Sequence, residues 1–169
     1  LELAGGTGIW TQELAAFANH VTVLDASPEM IAINRAKLDA ANVDYQQVDL
    51  FRWQPDRQYD LVSFSFWISH VPPERLAGFL ATVYQAVRPG GRVFMVDSRM
   101  EPNSSATDTP LREDEHIYRT RKLSDGSKYT IVKVFYEPED LGGALTAAGF
   151  KADVRITDHY FIYAIGTKE

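Results

Sequence analysis

Cysteine is absent from this chain, which excludes disulfides, thiolate metal sites and a cysteine nucleophile together, and fits a reducing, cytoplasmic setting. No apolar run approaches the roughly 18 residues a membrane-spanning helix needs, and no secretory leader is visible. Positive charge is in short supply: 17 lysines and arginines face 23 acids, a net charge of −6. That balance argues against wholesale nucleic-acid binding. Internal repeats and low-complexity tracts are also missing. So is an initiator methionine. Leu1 and Leu3 read as the end of a buried strand, so we expect an upstream segment, such as a helix that would cover a ligand.

What is present is enough for one domain with a real core: 169 residues, 45% of them hydrophobic. The chain is organised around Leu1-Glu2-Leu3-Ala4-Gly5-Gly6-Thr7-Gly8-Ile9-Trp10-Thr11. A strand end runs through glycines into a helix that Thr11 opens and Leu14, Ala15, Phe17 and Ala18 continue. Such a turn gathers backbone N–H groups and the positive end of a helix dipole at one point. Glycine lets a ligand approach that backbone closely. A second strand, His20 to Leu24, ends at Asp25, 20 residues after Gly5. In a doubly wound sheet Asp25 faces the glycine turn across the strand tips, where a carboxylate can accept both ribose hydroxyls of a nucleoside.

The kind of nucleoside follows from the departures. A dinucleotide turn wants G-x-G-x-x-G, but Gly6-Thr7-Gly8-Ile9-Trp10-Thr11 carries threonine at the third glycine position, after bulky Trp10. Glu2, just before the turn, would repel a pyrophosphate and suit an ammonium group. Glu2 and Asp25 together favour a zwitterionic nucleoside without phosphate.

These residues resemble the class I S-adenosylmethionine-dependent methyltransferases. Their first motif, E/D-hydrophobic-G-x-G-x-G, matches Glu2 to Gly8 with Ala4 in place of the first glycine. The resemblance continues through Asp25, Val48-Asp49-Leu50-Phe51, Tyr59-Asp60-Leu61-Val62 to His70-Val71, and Arg88-Pro89-Gly90-Gly91-Arg92-Val93. It implies an α/β, doubly wound, Rossmann-like sheet of seven strands, order 3-2-1-4-5-7-6, with the last strand antiparallel. It also implies S-adenosylmethionine as cofactor. The expected cradle is Glu2, Ala4, Gly5, Gly6, Gly8 and Thr11 at the turn, with Asp25 and its neighbour Ala26. The resemblance further implies that Asp49 accepts from the adenine amino group, that Met30 and Leu50 sandwich the ring beside Phe51, and that Ser65 touches the amino-acid end next to Phe66.

The remaining chain fits that plan as a single methyltransferase domain, 1–169, truncated at its N-terminus. Ala26-Ser27-Pro28 caps a helix running towards Asn42, Asp44 to Val48 is a third strand, and Tyr59 to Trp67 reads as a central strand buried on both faces. Pro72-Pro73 starts a helix carrying Leu76, Phe79, Leu80 and Val83, which Pro89-Gly90-Gly91 ends before a strand from Arg92 to Asp97. A surface loop spans 98–116. Then Ile117 to Leu123 and Lys128 to Tyr136 alternate around Ser124-Asp125-Gly126-Ser127, a hairpin signal. The insertion 98–137 is expected after the fifth strand as a cap. Its span 117–136 carries a net +4. Glu137-Pro138 opens a last helix, and 152–157 and 159–166 form two closing strands.

Methyl transfer from a sulfonium is an in-line displacement, to which the protein supplies alignment and a dry pocket. Phe66, Trp67, Trp10 and Tyr118 could wall the sulfonium by cation–π contact, or serve simply as packing. His70, just past the fourth strand, is the expected base, with a hydrogen-bonding structural role as the alternative. No metal is expected, because no carboxylate follows the fourth strand as a catechol-type ligand; the lack of cysteine also removes the thiolate route to C5 methylation of cytosine. Arg119, Arg121 or Lys133 could pair with a carboxylate or phosphate on a small-molecule acceptor contacted also by Trp67 and Tyr118. The same charges equally fit a solvated face or a homodimer contact. Three alternatives stand beside this reading: an NAD-dependent oxidoreductase, an RNA or protein methyltransferase using the basic hairpin, and a non-catalytic module keeping the fold.

Overall fold

The computed structural model describes residues 1–38, 40–100, 117–122 and 126–169, with 118–122 described by backbone alone. Seven strands form one sheet: β1 (Glu2–Leu3), β2 (Val21–Asp25), β3 (Val43–Gln47), β4 (Tyr59–Ser65), β5 (Val87–Ser98), β8 (Lys151–Ile156) and β9 (Phe161–Thr167). Their spatial order is β3-β2-β1-β4-β5-β9-β8. The first five run parallel, and β9 enters antiparallel between β5 and β8. Counting only strands of this sheet, that is 3-2-1-4-5-7-6 with a reversed last strand, as expected. A parallel strand buried on both faces needs apolar residues throughout, and Val62 and Phe64 in β4 are accordingly shut away from solvent.

Among the described residues, four α-helices cover the sheet: α1 (Ile9–Phe17), α2 (Pro28–Lys37), α3 (Pro73–Ala86) and α4 (Pro138–Ala147). The Ser27 Oγ caps α2 by accepting from the Met30 N–H, with proline in the first turn. Leu80 and Val83 of α3 and Leu141 and Leu145 of α4 are completely buried with Val93 and Met95 of β5. Each such side chain contributes about 1.5–3 kcal/mol. On α1, Leu14, Ala15 and Ala18 pack against Val21, Val23 and Val43. Phe17 does not join them and stands 89% exposed, because it falls outside their arc on the helix.

Two strand boundaries differ from expectation by more than two residues. β5 begins at Val87, which pairs with Tyr59 before the register shifts at Leu61. Gly90 has φ +74° there, and a Cβ on Gly91 would lie 2.9 Å from the Arg88 carbonyl. The glycines thus make an irregularity inside a strand rather than a stop before one. The hairpin strands β6 (Tyr118–Lys122) and β7 (Lys128–Val132) pair antiparallel in a separate sheet, from Tyr118 opposite Val132 to Lys122 opposite Lys128. β7 ends four residues before the expected Tyr136, because Lys133 turns inwards and the Val134 N–H bonds to the Ser69 carbonyl. Most of the expected loop 98–116, and 123–125 of the hairpin turn, lie outside the described residues.

Candidate functional site

β1 leads into the glycine turn at the tips of the parallel strands, where ligands of open α/β sheets bind. Ala4 and Gly6 both take φ +53° and Gly8 φ +85°. Ala4 therefore holds a left-handed conformation that costs an alanine about 1–2 kcal/mol. The Gly5 N–H donates to the Leu24 carbonyl at 3.2 Å and the Gly8 N–H to the Gly5 carbonyl at 3.1 Å. Gly8 is the N-cap of α1 and supplies no side-chain cap. Asp25 closes the arrangement from β2: its Oδ2 accepts from the Gly6 N–H at 2.8 Å and its Oδ1 from the Ser27 N–H at 2.9 Å. The acid thus faces the turn across the strand tips. Ala26 beside it is exposed, and its carbonyl accepts from Gln47.

Beneath the turn lies a polar chain that crosses four elements. The Tyr45 hydroxyl donates to Asn34 Oδ1 (3.0 Å), Asn34 Nδ2 to Thr11 Oγ1 (2.8 Å), and the Thr11 hydroxyl to Glu2 Oε2 (2.6 Å). Burial pushes the Glu2 carboxyl up to about 7, while the Thr11 hydroxyl opposes the rise. Thr11 is wholly buried, with its hydroxyl used between Glu2 and Asn34. Asn34 and Tyr45 were not found by sequence reasoning. A polar residue inside a short amphipathic helix was the one available signal, and it did not identify a partner.

On the expected adenine side, Asp49 Oδ1 accepts from the Phe51 N–H at 2.9 Å and Oδ2 lies 3.5 Å from Arg52 Nε. Met30 is half-buried at the start of α2. Phe51 packs 5.6 Å from Trp67, with the Arg75 guanidinium 4.8 Å from its ring. Leu50 is 5% exposed and belongs to the main core.

At the far side, Ser65 ends β4 half-buried beside Val96. Phe66 has φ +55° and packs edge-on at 5.8 Å against Phe161 of β9. That contact sets its ring against β9. Trp67 packs against Phe51 and Phe79, and its buried Nε1 has no hydrogen-bond partner among the described residues. Trp10 is 37% exposed on α1. His70 ends a short 3-10 turn (Ile68–His70), and its Nδ1 lies 2.7 Å from the Val132 carbonyl. A carbonyl only accepts, so Nδ1 carries a proton and the neutral ring has its lone pair on Nε2. The side chains of Tyr118, Arg119 and Arg121 lie outside the described residues.

Lys133 supplies something the sequence did not announce. Its Nζ donates to Ser69 Oγ at 2.8 Å and lies 3.2 Å from Asp97 Oδ1, with all three residues buried. The Ser69 N–H also bonds Asp97 Oδ2 at 3.0 Å. The Lys133 charge is therefore matched inside the protein, rather than on an acceptor, a solvated face or a homodimer contact.

A doubly wound sheet with a reversed last strand, a glycine turn and a facing acid is the architecture of an adenosyl-cofactor fold. The family model described as "Methyltransferase domain" matches residues 1–91, and the chain belongs to the class I S-adenosylmethionine-dependent methyltransferases. It is similar to the structure titled "DhpI-SAM-HEP complex": 43% identity, TM-score 0.84, covering 98% of this chain and 76% of that one. The ubiquinone biosynthesis O-methyltransferase of Aromatoleum aromaticum is 30% identical over 155 residues, 89% of this chain and 63% of that protein. The ubiquinone/menaquinone biosynthesis C-methyltransferase UbiE of Rubrivivax gelatinosus is 34% identical over 99 residues, 57% of this chain and 38% of its own. This chain thus spans under two thirds of the length of these curated relatives.

Proposed function

We propose that this chain transfers the methyl group of S-adenosylmethionine to an oxygen or nitrogen of a small molecule. The observation that carries the reading is the Asp25 carboxylate turned onto the Gly6 N–H at the strand tips, with Glu2 just behind. The donor set fits the cofactor. Gly6 leaves the turn open, since a Cβ there would meet nothing nearer than 3.9 Å. On this reading Asp25 would accept from ribose hydroxyls, and Asp49 from the adenine amino group. Glu2 offers negative charge to the ammonium end. The bound cofactor supplies an electrophilic methyl group on a sulfonium. Relatives support the reading by their names: one is complexed with SAM and another is an O-methyltransferase.

The chain's own contribution to the reaction is alignment and proton removal. The Val132 carbonyl holds the His70 Nδ1–H and so fixes the tautomer whose Nε2 can take a proton from the acceptor. Arg119 and Arg121 are two positions apart in the sequence of β6 (Tyr118–Lys122). The two arginines suit an anionic acceptor. His70→Gln should lower kcat by about 10²-fold or more while leaving affinity for S-adenosylhomocysteine intact. An unchanged kcat would remove the base. Arg119→Glu with Arg121→Glu should raise KM for the true acceptor; an unchanged KM would end the pairing.

A further inference from the structure

We propose that Asn34 is a positioning residue for cofactor binding: acting through the Thr11 hydroxyl, it sets the orientation of the Glu2 carboxylate beneath the glycine turn. The proposal rests on reading that turn as the cradle of an adenosyl amino acid.

The direction of the chain carries the argument. An asparagine amide can receive the Tyr45 proton on Oδ1 and donate from Nδ2 to Thr11 only in one orientation. With a lone pair of Thr11 Oγ1 occupied by that donor, the single hydroxyl proton is left for Glu2 Oε2. Three donors in series thus point at one carboxylate, from β3, α2 and α1 towards β1. The same amide supports the turn. A Cβ on Gly8 would lie 2.4 Å from Asn34 Oδ1, and one on Gly5 3.5 Å from Asn34 Nδ2. Asn34 is wholly buried and occupies the space that a side chain at Gly8 would need, while at Gly5 that space is taken by Val23, 2.3 Å from such a Cβ. One residue of α2 therefore packs against the turn at Gly8 and sets the partner of the acid behind it. Other charged or titratable groups facing Glu2 are Asp25 on β2 and Tyr45 on β3. Asp25 disfavours ionisation of Glu2, which makes the Thr11 proton the countermeasure supplied by the fold.

Asn34→Asp tests this with almost no change in shape. A carboxylate at position 34 accepts from Thr11 instead of donating to it, and adds a negative charge beside Glu2. Calorimetric titration with S-adenosylhomocysteine across pH 5.5–9 should show affinity about 10-fold weaker at pH 7 and its rise with pH displaced upwards by about one unit. Adenosine, which has no amino-acid end, should bind the variant as it binds the wild type. If Asn34→Asp fails to fold, Thr11→Val carries the same expectation, and Thr11→Ser, which keeps the hydroxyl, should restore the wild-type pH midpoint. Equal weakening for adenosine and S-adenosylhomocysteine would overturn the proposal in favour of a merely structural asparagine. So would a wild-type pH profile in Thr11→Val. A wild-type chain that binds neither ligand would instead overturn the cofactor reading itself.

Discussion

Glu2 is held almost dry, so its proton belongs to the folding equilibrium. Its carboxyl is pushed from 4.5 in the open chain up to about 7 in the fold, by burial first. Below pH 4.5 both states carry the proton, and the contribution to stability is full. As pH rises, the unfolded chain ionises first and stability falls, until the folded carboxyl follows near 7. The loss over that window is on the order of 3 kcal/mol. Urea denaturation of ligand-free wild type against Glu2→Gln, from pH 4.5 to 8, should show it as a difference between the two. Parallel curves would mean that Glu2 does not titrate this way. Gly8→Ala, at φ +85° and with a Cβ 2.4 Å from Asn34 Oδ1, should cost about 1–3 kcal/mol and weaken S-adenosylhomocysteine binding; a neutral melt would contradict the close approach. Glu2, the glycines and Asp25 were legible because their spacing is local and their chemistry is tied to a turn. Asn34 and Tyr45 were not, because what makes them matter is the meeting of α2 and β3 with a loop far away in sequence.

Among the elements, β4, β5 and α3 were legible from apolar runs and proline, and the reversed β9 from the family resemblance. The end of the hairpin was not. Alternation continues through Lys133 to Tyr136, and only a tertiary partner, Asp97, draws Lys133 inwards and breaks the strand. That pair fastens the segment after β7 to the end of β5 and to the 3-10 turn that carries His70. Lys133→Met alone would leave the Asp97 carboxylate dry and uncompensated, at a cost of about 3–5 kcal/mol. Asp97→Asn on top of it should recover part of that loss, because the buried charge is then gone. Equilibrium denaturation of both single variants and the double variant checks this. Strictly additive losses would show that the two side chains do not act as a pair. His70 should also feel the change through Val132, so kcat should fall in Lys133→Met even at temperatures where the variant is fully folded.

At the scale of the molecule, a ligand that binds only the folded chain adds RT ln(1 + [L]/Kd) to its stability, about 2.7 kcal/mol at a hundredfold excess over Kd. For a chain of this size each kcal/mol moves Tm by about 2–4 °C, so saturating S-adenosylhomocysteine should raise Tm by roughly 5–10 °C. NADH at the same concentration should leave it unchanged, since Glu2 and Asp25 sit where a pyrophosphate would bring two further negative charges into a chain of net −6. The contrast is informative because the two cofactors share the adenosine half. Ribose contacts to Asp25 alone would favour both, and only the treatment of charge next to the turn separates them. A Tm raised by NADH and not by S-adenosylhomocysteine would place a phosphate at the N-terminus of α1. The unneutralised acids beneath it would then need another explanation.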